Sequence, residues 1–253
     1  MRYISGRVSN IGTTKKKNGD RCLIYTEQTI HGPACLAMVC DGIGNTDAGE
    51  YAGNCVINHL YEWFKALVNL KFEVTDFIVE QINSEIEKVN VELIDLGNEE
   101  GVQYGTTLSG ILFIKNVYVL FHVGNTRVYS FSDELRCMTL DHTLAAVKVR
   151  NGQMTEEEGR KSKDKSILLQ CIGVSPELEI QNMMGKVTSG DVFLLCSDGF
   201  YNRLNAGEIE DAMDELKNMN QEEMQKLLET VVTEVMHRGE RDNISSLVIK
   251  VEE

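Results

Sequence analysis

Two apolar runs in this chain stop at Asp-Gly: Ala37-Met38-Val39-Cys40-Asp41-Gly42 and Phe193-Leu194-Leu195-Cys196-Ser197-Asp198-Gly199. A short apolar run bounded by glycine reads as a buried strand, and a carboxylate at its end stands where the strand leaves the core. Two further acids have comparable neighbours. Asp20 precedes Cys22-Leu23-Ile24-Tyr25, and Asp242-Asn243 opens Ile244-Ser245-Ser246-Leu247-Val248-Ile249. If these strands share a core, Asp20, Asp41, Asp198 and Asp242 meet at one rim. Carboxylates so placed repel one another unless protonated or neutralised, and hard divalent cations with oxygen ligands are the usual neutraliser.

The elements that must position these acids can be read from periodicity. Gly44-Asn45-Thr46 leads into Asp47-x-x-Glu50, a pattern like a capping box, and apolar residues follow at helical spacing from Ala52 to Leu67. Ile78, Ile82, Ile86, Val89, Leu93 and Leu96 predict a second amphipathic helix over roughly 75–96. From Thr107 to Phe131 the pattern is of antiparallel strands linked as hairpins, 107–114, 117–123 and 127–131, with a turn at Lys115-Asn116. A polar stretch rich in both charge signs predicts an exposed, mobile flap at about 144–168. Strands are expected near 166–171, 178–186, 191–196 and 243–251, and helices near 207–217 and 222–237. Strands and helices that segregate rather than alternate imply an α+β layered domain and not a doubly wound parallel sheet.

The chain has 253 residues, enough for one sizeable core, and no Pro/Ser-rich linker divides it, so residues 1–253 read as one domain. With 39 acidic and 25 basic residues it is a poor partner for a phosphate backbone, and no nucleic acid is expected. Seven cysteines without C-x-x-C spacing read as reduced core thiols of a cytoplasmic protein. The first residues lack the apolar region of a signal peptide, and no 18-residue apolar stretch occurs, so no membrane association is expected.

Taken in order, Gly12-x-x-Lys15-x-x-Asn18-Gly19-Asp20, Val39-Cys40-Asp41-Gly42-Ile43-Gly44, Tyr104-Gly105-Thr106-Thr107, Gly124-Asn125-Thr126-Arg127, Asp141-His142-Thr143, Cys196-Ser197-Asp198-Gly199 and Asp242-Asn243-Ile244 resemble the ordered motifs of the metal-dependent, type 2C protein serine/threonine phosphatases in their compact bacterial form. The resemblance runs from about residue 5 to 251. It implies a four-layer α-β-β-α sandwich of two antiparallel sheets flanked by helix pairs, with a dimetal centre at one end. It further implies Mn²⁺ or Mg²⁺, two ions at the core site, with Asp41 bridging both, the Gly42 carbonyl on one, Asp198 and Asp242 on the other, and Asp20 holding water on the first metal's side. The reaction so implied is hydrolysis of phosphoserine or phosphothreonine by direct attack of a metal-bridging hydroxide. Partners would be phosphorylated proteins and a cognate Ser/Thr kinase, the protein acting as a monomer.

A lone Asp-Gly is ordinarily a turn, because both residues are turn formers. Two after apolar runs, inside this motif order, point to metal binding. His122 lies in an apolar strand and reads as a hydrogen-bonded core residue. His142 reads as a helix-entry group, and Asp141 as a cap or turn acid. Several positions depart from the family pattern. Lys15 stands where the family usually has an arginine that grips the substrate phosphate in bidentate fashion, which implies a looser grip. Gly19 replaces an acid or amide, weakening the first metal. Asn125 replaces an acid of a third metal site, which is expected to be weak or absent. Ile43 replaces a histidine found after Asp-Gly in many eukaryotic members. These departures sustain an alternative, a catalytically weakened regulatory or phosphoprotein-binding module of the same fold. A calcium-binding protein is opposed by the lack of a D-x-D-x-D-G loop.

Overall fold

The computed structural model describes residues 1–30, 32–43, 47–68 and 76–253. In chain order the elements are β1 (Arg2–Asn10), β2 (Arg21–Thr29), β3 (Gly32–Cys40), α1 (Asp47–Leu67), α2 (Asp76–Glu100), β4 (Leu108–Ile114), β5 (Val117–Val123), β6 (Arg127–Phe131) and β7 (Leu135–Cys137). They continue with α3 (Leu144–Arg150), α4 (Glu156–Lys161), a 3-10 turn at Lys163–Ser166, β8 (Gln181–Lys186), β9 (Val192–Cys196), α5 (Asp198–Tyr201), α6 (Ala206–Lys217), α7 (Gln221–His237) and β10 (Ile244–Glu252). Two five-stranded sheets result, ordered β1-β10-β9-β6-β7 and β2-β3-β4-β5-β8, and the paired strands are antiparallel throughout.

The apolar runs are continuous because each sheet is an inner layer with both faces covered. Along β3, Leu36, Met38 and Cys40 pack with α1 and α2, whereas Cys35, Ala37 and Val39 meet Phe193, Leu195, Leu247 and Ile249 of the opposite sheet. On β9, Val192, Leu194 and Cys196 join α6 and α7, while Phe193 and Leu195 join the core between the sheets. Side chains that alternate between two dry faces leave no polar position, which is why period-2 patterning is invisible in these strands. The result is the expected α-β-β-α sandwich.

Three expectations are corrected. The strands 117–123 and 127–131 do not form a hairpin: at Gly124 (φ 113°) the chain crosses between sheets, and β6 pairs with β9 and β7. Residues 166–171 form only an isolated bridge, Thr143 with Leu168, because Ile167 and Leu169 are nearly half exposed and have no sheet edge to bury them. Within 144–168, α3 and α4 are capped by the hydroxyls of Thr143 and Thr155, so Thr143 and not Asp141 or His142 starts α3. β1 and β7 are additional strands. Gly44-Asn45-Thr46, the lead-in to the first helix, and the expected start of the second helix at 75 lie outside the described residues. Among the described residues no helix is long and apolar enough to cross a membrane.

The start of α1 packs backbone to backbone on the strand end that carries Asp41. A Cβ on Gly49 would stand 2.8 Å from the Gly42 carbonyl carbon and 2.9 Å from the Ile43 oxygen. Both obstacles are main chain and cannot swing aside. Gly49→Ala should therefore displace the Asp41-Gly42 segment, costing about 1–3 kcal/mol in denaturant unfolding. Unchanged stability and metal binding in that variant would show that the contact does not hold the segment.

Candidate metal centre

The four acids gather at one rim from four separate segments. Asp41 follows β3, and Thr107 fixes its backbone twice: Asp41 N donates to Thr107 Oγ1 at 2.9 Å and the Thr107 N–H donates to the Asp41 carbonyl at 2.9 Å. Thr106 Oγ1 donates to the same carbonyl at 3.1 Å. Asp198 opens α5 where β9 ends. Asp242 precedes β10, and its side chain is 43% exposed. Asp20 precedes β2 and is buried.

Asn243 holds the Gly12–Asp20 loop in place. Its amide oxygen accepts from Gly19 N at 2.8 Å, and its Nδ2 donates to the Ile11 and Lys17 carbonyls at 2.8 and 3.2 Å. Gly12, at φ 76°, lies so close to the Asp242 carbonyl that a Cβ would come within 2.1 Å of that oxygen. A buried serine pair ties Asp20, before β2, to β10. Ser197 Oγ donates to Asp20 Oδ2 at 2.8 Å and accepts from Ser245 N at 3.0 Å. Asp20 Oδ1, by contrast, is buried with no hydrogen-bond partner.

The electrostatics follow from this crowding. Burial pushes Asp20 up to about 6, opposed by the hydroxyls of Ser245 and Ser197 and reinforced by the charge of Asp242. Burial and then the charges of Asp20, Asp198 and Asp242 raise Asp41 well above the ordinary carboxylate range. Asp198 is pushed up to about 7 by burial and by Asp242, Asp20 and Glu240, with Lys165 opposing. Asp41 thus feels every other acid of the group. Among the described residues no three histidine, cysteine or carboxylate side chains close on one point as a ready ligand cluster. Protein groups occupy the acids instead: Lys15 Nζ lies 2.8 Å from Asp242 Oδ1, and Asn125 Nδ2 donates to Asp198 Oδ2 at 3.3 Å.

An orphaned buried carboxylate oxygen, three acids with raised proton affinity and an all-oxygen donor set fit hard divalent cations. Asp20, Asp41, Asp198, Asp242 and the Gly42 carbonyl are the groups that could hold them. Thr106, Thr107, Ser197, Asn243, Ser245 and Lys165 were not singled out for roles by sequence reasoning. Asn243, Ser197 and Thr106-Thr107 stood inside quoted motifs, but hydrogen bonds to residues distant in sequence leave no spacing signal. His122 is a core residue as expected. Its Nδ1 pairs with Ser109 Oγ at 2.8 Å, and burial lowers it to about 3. Asp141 serves a half-buried bidentate ion pair with Arg127, at 2.9 and 2.8 Å, with the guanidinium stacked on the Tyr201 ring.

A profile of the protein phosphatase 2C family matches residues 11–233. The chain belongs to that family, and its class is that of a protein phosphatase. It is 27% identical over 220 residues to a serine/threonine phosphatase stp of Listeria welshimeri, covering 85% of this chain and 84% of that protein. The structure of the Streptococcus agalactiae serine/threonine phosphatase superposes with a TM-score of 0.86 at 25% identity, covering 99% of this chain and all of the other. The catalytic domain of the phosphatase PstP, in complex with two manganese ions, superposes at TM-score 0.80 with 24% identity and 99% coverage of both chains.

The raised acids set the sign of a pH effect. Asp20 and Asp198 bind protons more tightly in the folded, metal-free protein than in the unfolded chain, where carboxylates titrate near 4. The stability they contribute is complete below about pH 4 and is lost as pH rises through 6 to 7. Thermal melts in EDTA should accordingly show Asp20→Asn stabilised relative to wild type at pH 8, with the gap closing at pH 5. A pH-independent gap would mean that Asp20 is not held against its charge.

Proposed function

We propose that this chain hydrolyses phosphoserine and phosphothreonine in proteins, using a pair of divalent cations, Mn²⁺ or Mg²⁺, held by Asp20, Asp41, the Gly42 carbonyl, Asp198 and Asp242. The observation that carries the reading is that Asp41 feels the charge of Asp20, Asp198 and Asp242 together and is raised well above the ordinary carboxylate range by burial and by them. A carboxylate so surrounded suits a position shared between two ions. Bound there, the ions would lower the pKa of water and neutralise charge developing on a phosphoryl group. The manganese pair in the PstP structure belongs to a protein of the same fold and is consistent with this stoichiometry.

The chain's own residues prepare the rest. Ser197 and Asn243 hold Asp20 and its loop, which keeps the acid anionic once a cation replaces its proton. Lys15, 2.8 Å from Asp242, supplies a cation at the rim that can turn to a phosphate oxygen when Asp242 is occupied by metal. Cys40 and Cys196 adjoin the acids, but burial raises both thiols far above neutrality, so neither is available as a thiolate nucleophile. In this reading the nucleophile is water, with no covalent phosphoenzyme. Ile43 offers no proton, and the leaving alkoxide takes one from solvent. The reading uses residues 1–253 as one catalytic domain, with 144–168 as a flap whose Lys165 faces Asp198. It also places the enzyme in the cytoplasm, a monomer opposite a Ser/Thr kinase.

The test is p-nitrophenyl phosphate and phosphopeptide turnover with and without Mn²⁺. Asp41→Asn should lose at least about 100-fold in kcat, since one carboxylate is asked to hold both ions. Full turnover in EDTA would overturn the metal reading, and metal binding without turnover would favour the regulatory module.

Asn125 gives a second test. Its amide reaches Asp198, so Asn125→Asp should add about one unit of ligand charge beside that acid and create or strengthen a third site. Calorimetric titration should find two tight Mn²⁺ sites in the wild type and an added or tighter weak site in the variant. Identical titrations would mean that residue 125 does not serve metal.

A further inference from the structure

On the face of the sandwich opposite α1 and α2, the helices α6 and α7 cover β9 but leave a space between them. Between them lies a cavity of about 220 Å³ whose floor is Leu194 and whose inner wall is Phe200 and Leu204. Ala212 explains the space. It lies on the same face of α6 as Glu208 and Leu216, one turn from each, and its methyl leaves unfilled the volume that a larger side chain would take. The opposite wall is Leu227 and Val231 of α7.

The mouth is charged but self-compensated. Arg238 Nη1 pairs with Glu208 and its Nε with Glu234, each at 2.7 Å, and Glu208 Oε2 also caps α6 through Asn205 N at 2.9 Å. With its one cation engaged by two carboxylates, the rim carries a net negative charge and repels an anion. An apolar cavity of roughly 150 Å³ stays dry and binds benzene, so this larger one is suited to a ring of about that size or slightly more.

Its walls also belong to the segment that carries the metal-site acids. Phe200 sits in α5, whose first residue is Asp198, and Phe200 N and Asn202 N donate to the Ser197 and Asp198 carbonyls at 3.1 and 2.9 Å. From the rim, Arg238 Nη1 donates to the Arg203 carbonyl at 3.1 Å. The Arg203 side chain pairs with Glu240 at 3.3 Å, and Glu240 Oε1 accepts from Asp242 N at 3.1 Å. The cavity is thus one contact from the turn of Asp198 and one short relay from Asp242.

We propose that the cavity between α6 and α7 is a binding site for a small, neutral, apolar or aromatic molecule, and that its occupancy is felt at the rim acids through Phe200 and the Arg238–Arg203–Glu240 relay. The binding step does not depend on the catalytic reading; the coupling to metal does.

Methyl-labelled, metal-free wild type titrated with indole should show saturable shifts at Leu194, Leu204, Met213 and Leu227, while benzoate should leave them unmoved. Ala212→Phe fills the space and should weaken indole at least about tenfold, with the circular dichroism spectrum of the folded protein unchanged. Ala212→Val serves if the larger ring prevents folding. Saturating indole should change the Mn²⁺ affinity of the wild type about twofold or more by calorimetry, and not that of the filled variant. No saturable shifts up to the solubility of indole, saturable shifts that spare the residues lining the cavity, or undiminished binding in the filled variants would overturn the site. An unmoved Mn²⁺ affinity would overturn the coupling, and a wild type that takes indole but no Mn²⁺ would overturn the catalytic reading alone.

Discussion

Mutual repulsion among Asp20, Asp41, Asp198 and Asp242 is the constraint around which this end of the molecule is built. Four like charges converge where strands leave the core, and burial adds to the cost of keeping them ionised. The fold answers with fixed dipoles and ammonium groups: a hydroxyl on Asp20, an amide and the charge of Lys165 on Asp198, and Lys15 on Asp242. None reaches Asp20 Oδ1, and the three raised acids remain poised to exchange protons for a stronger positive partner. A site so prepared favours hard cations without a preformed cage, consistent with a metal pair that completes the site when it binds.

The two-sheet core is what makes such a rim possible. Asp20, Asp41, Asp198 and Asp242 each adjoin the end of a strand, and the strands come from both sheets: β2 and β3 from one, β9 and β10 from the other. Ser197 spans that division. Its hydroxyl joins Asp20, before β2, to Ser245, inside β10. Glycines at 42 and 49 allow α1 to approach the Asp41 strand end closely enough to fix it. The geometry of the acids is therefore set by packing that lies mostly outside the site.

Much of this was legible in the sequence, and the exceptions have physical causes. The fold and the acids could be read because buried strands ending in Asp-Gly are local patterns and the motif order is long. The β5–β6 hairpin was misread because a strand's partner is not encoded in its own residues; only Gly124, at positive φ, marks the crossing. The 166–171 strand was misread because Ile167 and Leu169 mimic core alternation while standing exposed beside α3. β1 was missed because Arg2, Arg7, Ser9 and Asn10 interrupt its apolar positions, leaving a pattern of partial burial under α7. Asn243 and Ser197 act through hydrogen bonds to residues more than 170 positions away, and spacing carries no trace of such contacts.

The central claim is that Asp41 is shared by two divalent cations. Anomalous scattering from a crystal of this chain grown with Mn²⁺ tests it most directly. The account predicts two peaks flanking the Asp41 carboxylate, one toward Asp20 and the Gly42 carbonyl and the other toward Asp198 and Asp242. A single peak, or peaks remote from Asp41 with Lys15 still seated on Asp242, would contradict it.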